Sequence, residues 1–343
     1  LRQTLARRGI RYDKLSRSDQ AHRDTMRCLL EALQQRGVNS QVLTAHQITP
    51  KSLEGVQAVF AAGGDGTFLQ TASHIPGISI PLIGVNTDPV SSQGHLCAVV
   101  PEDRAGEGDS LRGLGVAVDR LMQGHFLWHD HRRLKLLLVT SDGEELPLSH
   151  LALNEVFVSE AVPCRPSIFN IGIDNHERQT VRSSGMIVCT GTGSTAWFQS
   201  ATKVFRSTIR AVLRAANPTT SGRPGGEGNW ESMADPTRPG EPPPEVVERI
   251  FDQINSGRSF PIDARELGFI VREPIINRAH FIQRRTGNAR QVSLHSLGWD
   301  AHFVIDGITT VPFNFGVQLI LQPGDDDVSI RSVDMQYDAA RTQ

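Results

Sequence analysis

The sequence has few cysteines, no long apolar run and no excess of charge of one sign. Its four cysteines, Cys28, Cys97, Cys164 and Cys189, are far apart, and none belongs to a CxxC pair. We therefore expect reduced, buried thiols in an intracellular compartment rather than a disulfide framework. The longest apolar runs, such as residues 134–139, are far shorter than the roughly 20 residues that cross a bilayer. This argues against a membrane protein.

Basic and acidic side chains are nearly balanced, with 35 lysines and arginines against 37 aspartates and glutamates. Such a chain has no global field that would draw it to nucleic acid or to lipid headgroups. Its 343 residues suffice for two domains, or for one large domain with an insertion. The chain begins with Leu1 rather than methionine, so we expect a fragment or a processed product whose targeting signal is lost.

The first part of the chain alternates helix and strand patterns. Apolar side chains recur at helical spacing in residues 18–36, with Ser18 and Asp19 as the N-cap and Gly37 as the stop. Strands are predicted at residues 38–43, 56–62 and 78–85. This order predicts a Rossmann-like parallel α/β domain over residues 1–125. Because such a domain normally begins with a strand, we expect its first strand to lie upstream of Leu1.

From residue 126 the pattern changes to short strands joined by turns. It predicts a mainly antiparallel β domain over residues 126–330, followed by a C-terminal tail at residues 331–343. We expect an insertion around residues 206–262, in which residues 217–244 are disordered because proline, glycine and polar residues cannot bury a core. A helix is predicted at residues 244–254. The predicted strands are residues 133–139, 151–158, 167–173, 186–190, 267–271, 291–297, 302–307, 316–322 and 327–333.

The segment Gly63-Gly64-Asp65-Gly66-Thr67 lies between a predicted buried strand and a predicted helix. Its glycines let backbone N–H groups approach an anion closely, and the helix adds its positive N-terminal end. We therefore expect Gly63, Gly64, Gly66 and Thr67 to bind phosphate groups. A carboxylate repels phosphate, so Asp65 needs its own role: accepting a proton from a substrate hydroxyl, or helping to hold Mg²⁺. The alternative is a simple tight turn.

Further motifs follow in an order that resembles the NAD kinase family. They are residues 152–156 (ALNEV), 189–197 (CTGTGSTAW), 304–307 (VIDG) and 323–325 (PGD). The resemblance spans residues 56–325, and the combination is specific although each motif alone is weak. It implies phosphorylation of the 2′-hydroxyl of the adenosine ribose of NAD by ATP, with Asp65 as the general base and Mg²⁺ entering with ATP.

The resemblance also implies which residues bind NAD. Asn154 would face the adenine and Glu155 the ribose hydroxyls, which suits an amide that donates and accepts and a carboxylate that only accepts. Considered without the other motifs, Asn154 and Glu155 are interpreted as a pair of loop residues and Trp197 as a core residue. No residue is predicted to bind a metal, and His129-Asp130-His131 reads as the surface lead-in to a strand. The other candidates for NAD binding are Asn86, Thr192, Gly193, Ser194, Thr195, Ala196, Trp197 and Asp306.

Finer features resemble the mitochondrial-type NAD kinases of animals and their relatives. They are residues 84–89 (GVNTDP), 94–97 (GHLC), 272–275 (REPI) and 299–301 (WDA). Ser184 stands where most of the family has an aspartate that reaches a neighbouring subunit's ligand, which favours a homodimer over a tetramer. The resemblance implies a mitochondrial location and leaves both NAD and NADH open as substrates.

Two other functions stay open. Lipid kinases of the diacylglycerol and sphingosine type also carry the Gly-Gly-Asp-Gly-Thr segment, although the chain shows no basic amphipathic stretch that would face a membrane. A catalytically inactive nucleotide-binding scaffold is the third reading.

Overall fold

The structure is a computed structural model that describes residues 7–9, 11–99, 110–174, 176–216, 242–277 and 282–335. Its helices are α1 (Tyr12–Gln35), α2 (Asp65–Ala72), α3 (Ser110–Met122), α4 (Trp197–Thr202), α5 (Arg206–Ala216) and α6 (Pro244–Ser256). The first strands are β1 (Val59–Gly63), β2 (Leu82–Asn86), β3 (Leu127–His131), β4 (Leu134–Val139), β5 (Glu145–Pro147), β6 (Glu155–Glu160), β7 (Ser167–Ile173), β8 (Gln179–Ser183) and β9 (Gly185–Cys189). The others are β10 (Leu267–Arg272), β11 (Thr286–Ala289), β12 (Val292–Ser296), β13 (Ala301–Ile305), β14 (Thr309–Pro312), β15 (Gln318–Pro323) and β16 (Ile330–Asp334).

The N-terminal region is built on the parallel pair β1 and β2. All five residues of β2 are buried, as expected of a strand that is covered on both faces. Val99 continues the pattern, because it forms a parallel bridge with Val85. Helix α1 covers this unit by packing Leu29 and Leu33 into one apolar cluster with Val85. The predicted parallel α/β region, with its Gly-Gly-Asp-Gly-Thr segment between β1 and α2, is confirmed.

Two local predictions in this region were wrong. Helix α1 begins at Tyr12, so Ser18 lies inside it rather than at its N-cap, and the Ser18 hydroxyl donates to Asp88 Oδ2 at 2.5 Å. The predicted stop is correct, since Gly37 has a φ of +71°. Residues 38–43 form no strand: Val38 packs on the apolar cluster of α1, while Val42 is exposed. The strand expected upstream of Leu1 lies outside the described residues and stays a prediction.

Most of the remaining described residues form two six-stranded antiparallel sheets. One has the strand order β11-β10-β9-β6-β13-β14, and the other has the order β5-β4-β15-β12-β7-β8. A single apolar core fills the space between them and includes Phe169, Phe269, Phe303 and Phe313. The predicted antiparallel β region is therefore confirmed, and β7 has the predicted bounds. Strands β5, β8, β11 and β14 were missed because none of them has more than one buried apolar residue.

The C-terminal strand returns to the N-terminal region. Strand β16 pairs antiparallel with β3, and Val333 and Met335 join the apolar cluster of α1 and β2. Residues 331–334, which the domain bounds assigned to a tail, are thus part of this core, because Ile330, Ser332 and Val333 of β16 are buried. The tail residues 336–343 lie outside the described residues.

The predicted helix at residues 244–254 is confirmed as α6, which begins at Pro244. Arg206 of α5 joins the two helices, because it forms an ion pair with Glu248 at 2.7 Å and lies over the ring of Phe251. Residues 217–241 of the predicted disordered segment lie outside the described residues. Among the residues that the structure describes, no helix has the length and apolarity needed to span a membrane.

Candidate functional site

The Gly-Gly-Asp-Gly-Thr segment makes a sharp turn from β1 into α2. Gly63 ends the strand, and a Cβ there would lie only 2.2 Å from Thr67 Oγ1. A Cβ on Gly64 would lie 2.9 Å from Ser92 Oγ. Gly66 and Thr67 are exposed in the first turn of α2, where helix N–H groups lack intrahelical partners. The predicted phosphate-binding residues therefore come together at a helix N-terminus that an anion can reach.

Asp65 is the first residue of α2 and is half-buried. Its Oδ1 accepts a hydrogen bond from Leu96 N at 2.8 Å, and its Oδ2 accepts one from His95 N at 3.1 Å. A carboxylate offers about four acceptor positions, so positions remain for a substrate hydroxyl. The neighbouring Cys97 is not a competing base, because burial, with a contribution from Asp65, raises the pKa of its thiol to about 12.

Asn86 ends β2 and is fully buried. Its Nδ2 donates to Ser92 O at 2.9 Å, and its Oδ1 accepts from Asp88 N at 3.1 Å. The amide therefore closes the loop that follows β2, beside the glycine-rich turn. Its predicted contact with NAD stays a prediction, and shaping this loop is a role that the sequence did not reveal.

Asp306 supports the corner formed by residues 153–155 from beneath. Its carboxylate accepts from Leu153 N at 2.7 Å, Asn154 N at 2.8 Å and Glu155 N at 3.0 Å. Burial raises the pKa of Asp306, and these three donors and Arg133 counteract that rise. The sequence placed Asp306 against NAD, whereas its oxygens here are engaged in holding the backbone of Asn154 and Glu155.

Glu155 differs from Asp306 because one of its oxygens has no partner. Within the described part of the chain, Glu155 Oε2 is buried and accepts no hydrogen bond. Burial, with the negative Asp306 nearby, raises the pKa of Glu155 to about 7. A buried polar atom without a partner costs about 1–3 kcal/mol. A ligand that brings hydroxyl donors would remove that cost, as the predicted ribose hydroxyls would.

Residues 190–194 lie directly on this corner. A Cβ on Gly193 would be 2.0 Å from Asn154 O, and a Cβ on Gly191 would be 1.9 Å from Pro261 O. Thr190 locks the contact, because its hydroxyl donates to Leu153 O at 2.5 Å and accepts from Gly193 N at 3.0 Å. The glycines of this motif are thus required by backbone packing, and the structure brings the motif together with Asn154 and Glu155.

The residues of this motif differ in accessibility. Thr192 and Ser194 are buried, and Ser194 Oγ donates to Gly191 O at 2.6 Å. Thr195 is exposed and Ala196 half-buried. Both are therefore accessible to a ligand, whereas Ser194 is engaged within the loop.

Trp197 is 40% exposed, so the core reading is only partly right. Its ring packs against Phe157 with centroids 4.8 Å apart, and the guanidinium of Arg272 lies 5.2 Å from its centroid. The indole thus has protein on more than one side and a free part that a ligand can reach.

His131 is a site residue that the sequence misplaced. It was assigned to a surface lead-in, but it is buried in β3, with Nδ1 2.9 Å from Thr192 Oγ1 and Nε2 2.8 Å from Ser332 Oγ. Burial lowers its pKa to about 4, so the ring is neutral near pH 7. It connects β16 to the loop at residues 190–194. The polar string of residues 129–131 gave no signal of burial.

No group of three or more His, Cys, Asp or Glu side chains that could hold a metal is present among the described residues. A lone carboxylate such as Asp65 does match the common situation in which Mg²⁺ binds one or two carboxylates together with substrate phosphates.

The known proteins that this chain resembles are NAD kinases. Residues 9–107 match the family described as ATP-NAD kinase N-terminal domain. The chain is 28% identical to the NAD kinase 2, mitochondrial, of Rattus norvegicus over 92% of this chain and 77% of that protein. It is 29% identical to the protein of the same name from Homo sapiens, over 92% and 74% of the two chains.

A solved structure of an NAD kinase from Archaeoglobus fulgidus in complex with ATP has the same fold. The TM-score is 0.53 at 17% identity, and the match covers 88% of this chain and 86% of that one.

Proposed function

Because the chain belongs to the NAD kinase family, we propose that it transfers the γ-phosphoryl group of ATP to the 2′-hydroxyl of the adenosine ribose of NAD. The observation that carries the proposal is the contact between the two parts of the site, the turn with Asp65 and the corner at residues 153–155. Leu153, next to Asn154, packs in one apolar cluster with Ala61 of β1 and Phe68 of α2. The turn that carries Asp65 and the corner that carries Glu155 therefore share one buried support.

In the proposed reaction NAD binds at the corner of residues 153–155. Glu155 accepts its ribose hydroxyls, Asn154 faces the adenine, and Thr195, Ala196 and Trp197 line the accessible side. The ATP phosphates lie along Gly63, Gly64, Gly66 and Thr67, and Mg²⁺ enters with ATP as part of the donor substrate.

Asp65 then accepts the proton of the attacking 2′-hydroxyl. A ribose hydroxyl is a weak nucleophile near pH 7, and phosphoryl transfer depends mainly on positioning and on neutralising charge. Each oxygen of Asp65 accepts one backbone hydrogen bond, and its remaining acceptor position can take the proton.

The test is an assay with purified protein, ATP and NAD, followed by chromatographic separation of the products. NADP should form together with an equal amount of ADP, and parallel reactions with NADH establish which redox form is preferred. Sphingosine and diacylglycerol serve as competing acceptors. Phosphorylation of a lipid without NADP would establish the lipid kinase reading, and nucleotide binding without any product would establish the scaffold.

Assembly and location are part of the same proposal: the protein is a homodimer and acts in mitochondria. The relatives named as mitochondrial support the location. For the dimer, Ser184 donates its hydroxyl to Arg272 O within its own subunit at 3.4 Å. Light scattering tests the dimer and would contradict it by showing a tetramer. Imaging of the full-length protein with a C-terminal tag tests the location, and a purely cytosolic signal would contradict it.

A further inference from the structure

A β-turn at residues 94–97 presents two consecutive backbone N–H groups to Asp65. Cys97 N donates to Gly94 O at 3.0 Å and closes the turn. The two central residues donate outward, His95 N to Asp65 Oδ2 and Leu96 N to Asp65 Oδ1. Each carboxylate oxygen thus receives one N–H from the same turn.

The turn cannot shift easily, because backbone contacts tie it to β2. A Cβ on Gly84 would lie 2.5 Å from Leu96 O and 2.8 Å from Cys97 Cα, so the turn rests directly on the strand. Beyond the turn, Val99 N donates to Gly84 O at 3.1 Å and Val99 O accepts from Asn86 N at 2.8 Å. Gly94 takes the left-handed conformation with a φ of +63°, which a side chain would oppose.

We infer that the 94–97 turn is a positioning element for phosphoryl transfer, acting on the reacting atoms through Asp65. One N–H on each oxygen fixes the rotation of the carboxylate and thereby the direction of its remaining acceptor positions. A proton acceptor has to lie within hydrogen-bond reach of the attacking hydroxyl, and small misplacements slow such reactions strongly. This inference rests on the proposed function, because it assigns Asp65 the task of accepting that proton.

The role belongs to the backbone rather than to the side chain of His95. The imidazole is exposed, and its Nε2 lies 2.8 Å from Gln93 Oε1 in an exposed contact. Substitutions at this position can therefore separate the N–H group from the side chain.

The experiment compares His95→Pro with His95→Ala. Both remove the imidazole, but only proline also removes the N–H, and proline is favoured at the first central position of a β-turn. We expect kcat of His95→Pro to be at least about tenfold below that of His95→Ala. The KM values for ATP and NAD should agree within about twofold, as expected when only the reacting step is affected.

A second change covers the case in which proline distorts the turn. Replacing leucine at position 96 with its α-hydroxy acid analogue turns the Leu96 amide into an ester and removes the shorter hydrogen bond to Asp65. The same selective loss of kcat, with an unfolding midpoint close to that of the parent, would support the inference.

Equal kcat for His95→Pro and His95→Ala, together with an unchanged kcat of the ester, would overturn the inference. A lower kcat accompanied by a higher KM and a lower thermal stability would also overturn it, since that pattern indicates a purely structural turn. A parent protein that makes no NADP refutes the proposed function itself, whereas an active parent with insensitive variants refutes only the role of the turn.

Discussion

The two carboxylates at the ends of the site are supported in opposite ways. Asp65 receives one backbone N–H on each oxygen, from His95 and Leu96. Glu155 has a buried oxygen without a partner. The first group is oriented before any substrate arrives, whereas the second has a buried oxygen to which a ligand hydroxyl can donate.

This difference fits the roles proposed above for the two groups. A reacting group gains from being held in place in advance, and a group that recognises a ligand gains from being left without a partner. Asp306 lies outside both roles, because three backbone N–H groups occupy its carboxylate. The sequence motif placed Asp306 beside Glu155 in function, and the structure places it beneath Glu155 as a support.

The largest effect should come from Asp65→Asn. The amide keeps the shape but accepts a proton very poorly, so we expect turnover to fall by about 10²–10⁴-fold, the usual contribution of a general base. The Kd for NAD, measured by calorimetry, should stay close to that of the parent. Equal losses of turnover and of NAD binding would instead mean that Asp65 shapes the site without taking part in proton transfer.

Asp306→Ala should act on stability. It leaves three backbone N–H groups without their acceptor, and each such loss costs about 1 kcal/mol or more, so we expect the free energy of unfolding in urea to fall by about 3 kcal/mol. Asp325→Ala is the matched control, because Asp325 forms an exposed ion pair with Lys135 and such pairs contribute at most about 1 kcal/mol. A stable Asp306→Ala variant that fails only to bind NAD would restore the role that the sequence predicted.

Glu155 should make NAD binding depend on pH. Its pKa of about 7 without ligand means that it is protonated in more acidic solution, while ribose hydroxyl donors favour the ionised form and lower its pKa. NAD affinity should therefore weaken by up to about tenfold for each pH unit below 7. Calorimetric Kd values at several pH values between 5 and 8 check this, and a flat profile would contradict it.

Glu155→Gln is the control for that profile, because glutamine does not titrate. In the unliganded parent, Glu155 has a higher pKa folded than unfolded, so the folded state binds more protons between pH 4.5 and about 7. Against the upward slope that the buried His131 contributes because its pKa is lowered to about 4, this titration contributes a downward slope to the free energy of unfolding through that window. The variant should lose both this slope and the pH dependence of NAD binding.

The smallest effect should come from the segment between α5 and α6. Replacing residues 218–241 with a short Gly-Ser linker should leave kcat and the unfolding midpoint close to those of the parent. The ion pair of Arg206 with Glu248 and the two hydrogen bonds between Asn255 and Val204 hold the helical insertion together without the linker. Limited proteolysis of the parent should cut first in this segment. Unfolding of the shortened protein would show that the segment is packed.

The sequence predicted structure correctly where an apolar pattern was long or where a motif contained residues with a chemical role. The unbroken apolar run before Gly63 predicted β1, and the glycines around Asp65 predicted the turn into α2. The sequence failed where tertiary contacts decide. Residues 38–43 contain the apolar residues Val38, Val42 and Leu43, yet no neighbouring strand among the described residues pairs with them.

The orientation of the side chains of the site residues could not be predicted from the sequence. The motifs at residues 189–197 and 304–307 correctly indicated the corner at residues 153–155. The spacing of these motifs does not reveal that Asp306 faces backbone N–H groups rather than a ligand. His131 was missed for a related reason: its burial depends on Thr192 and Ser332, which are distant in sequence and meet only when β3 pairs with β16.

The pairing of β3 with β16 sets the order of events during synthesis. Ile330 pairs with His131, so roughly 200 residues must be translated after β3 before its partner exists. At about 5–20 residues per second the ribosome needs roughly 10–40 s for that stretch. Throughout that interval the nascent N-terminal region lacks Val333 and Met335, which complete its apolar cluster. The exposed apolar surface is the kind that chaperones bind, so folding of the region that carries Asp65 is tied to completion of the chain.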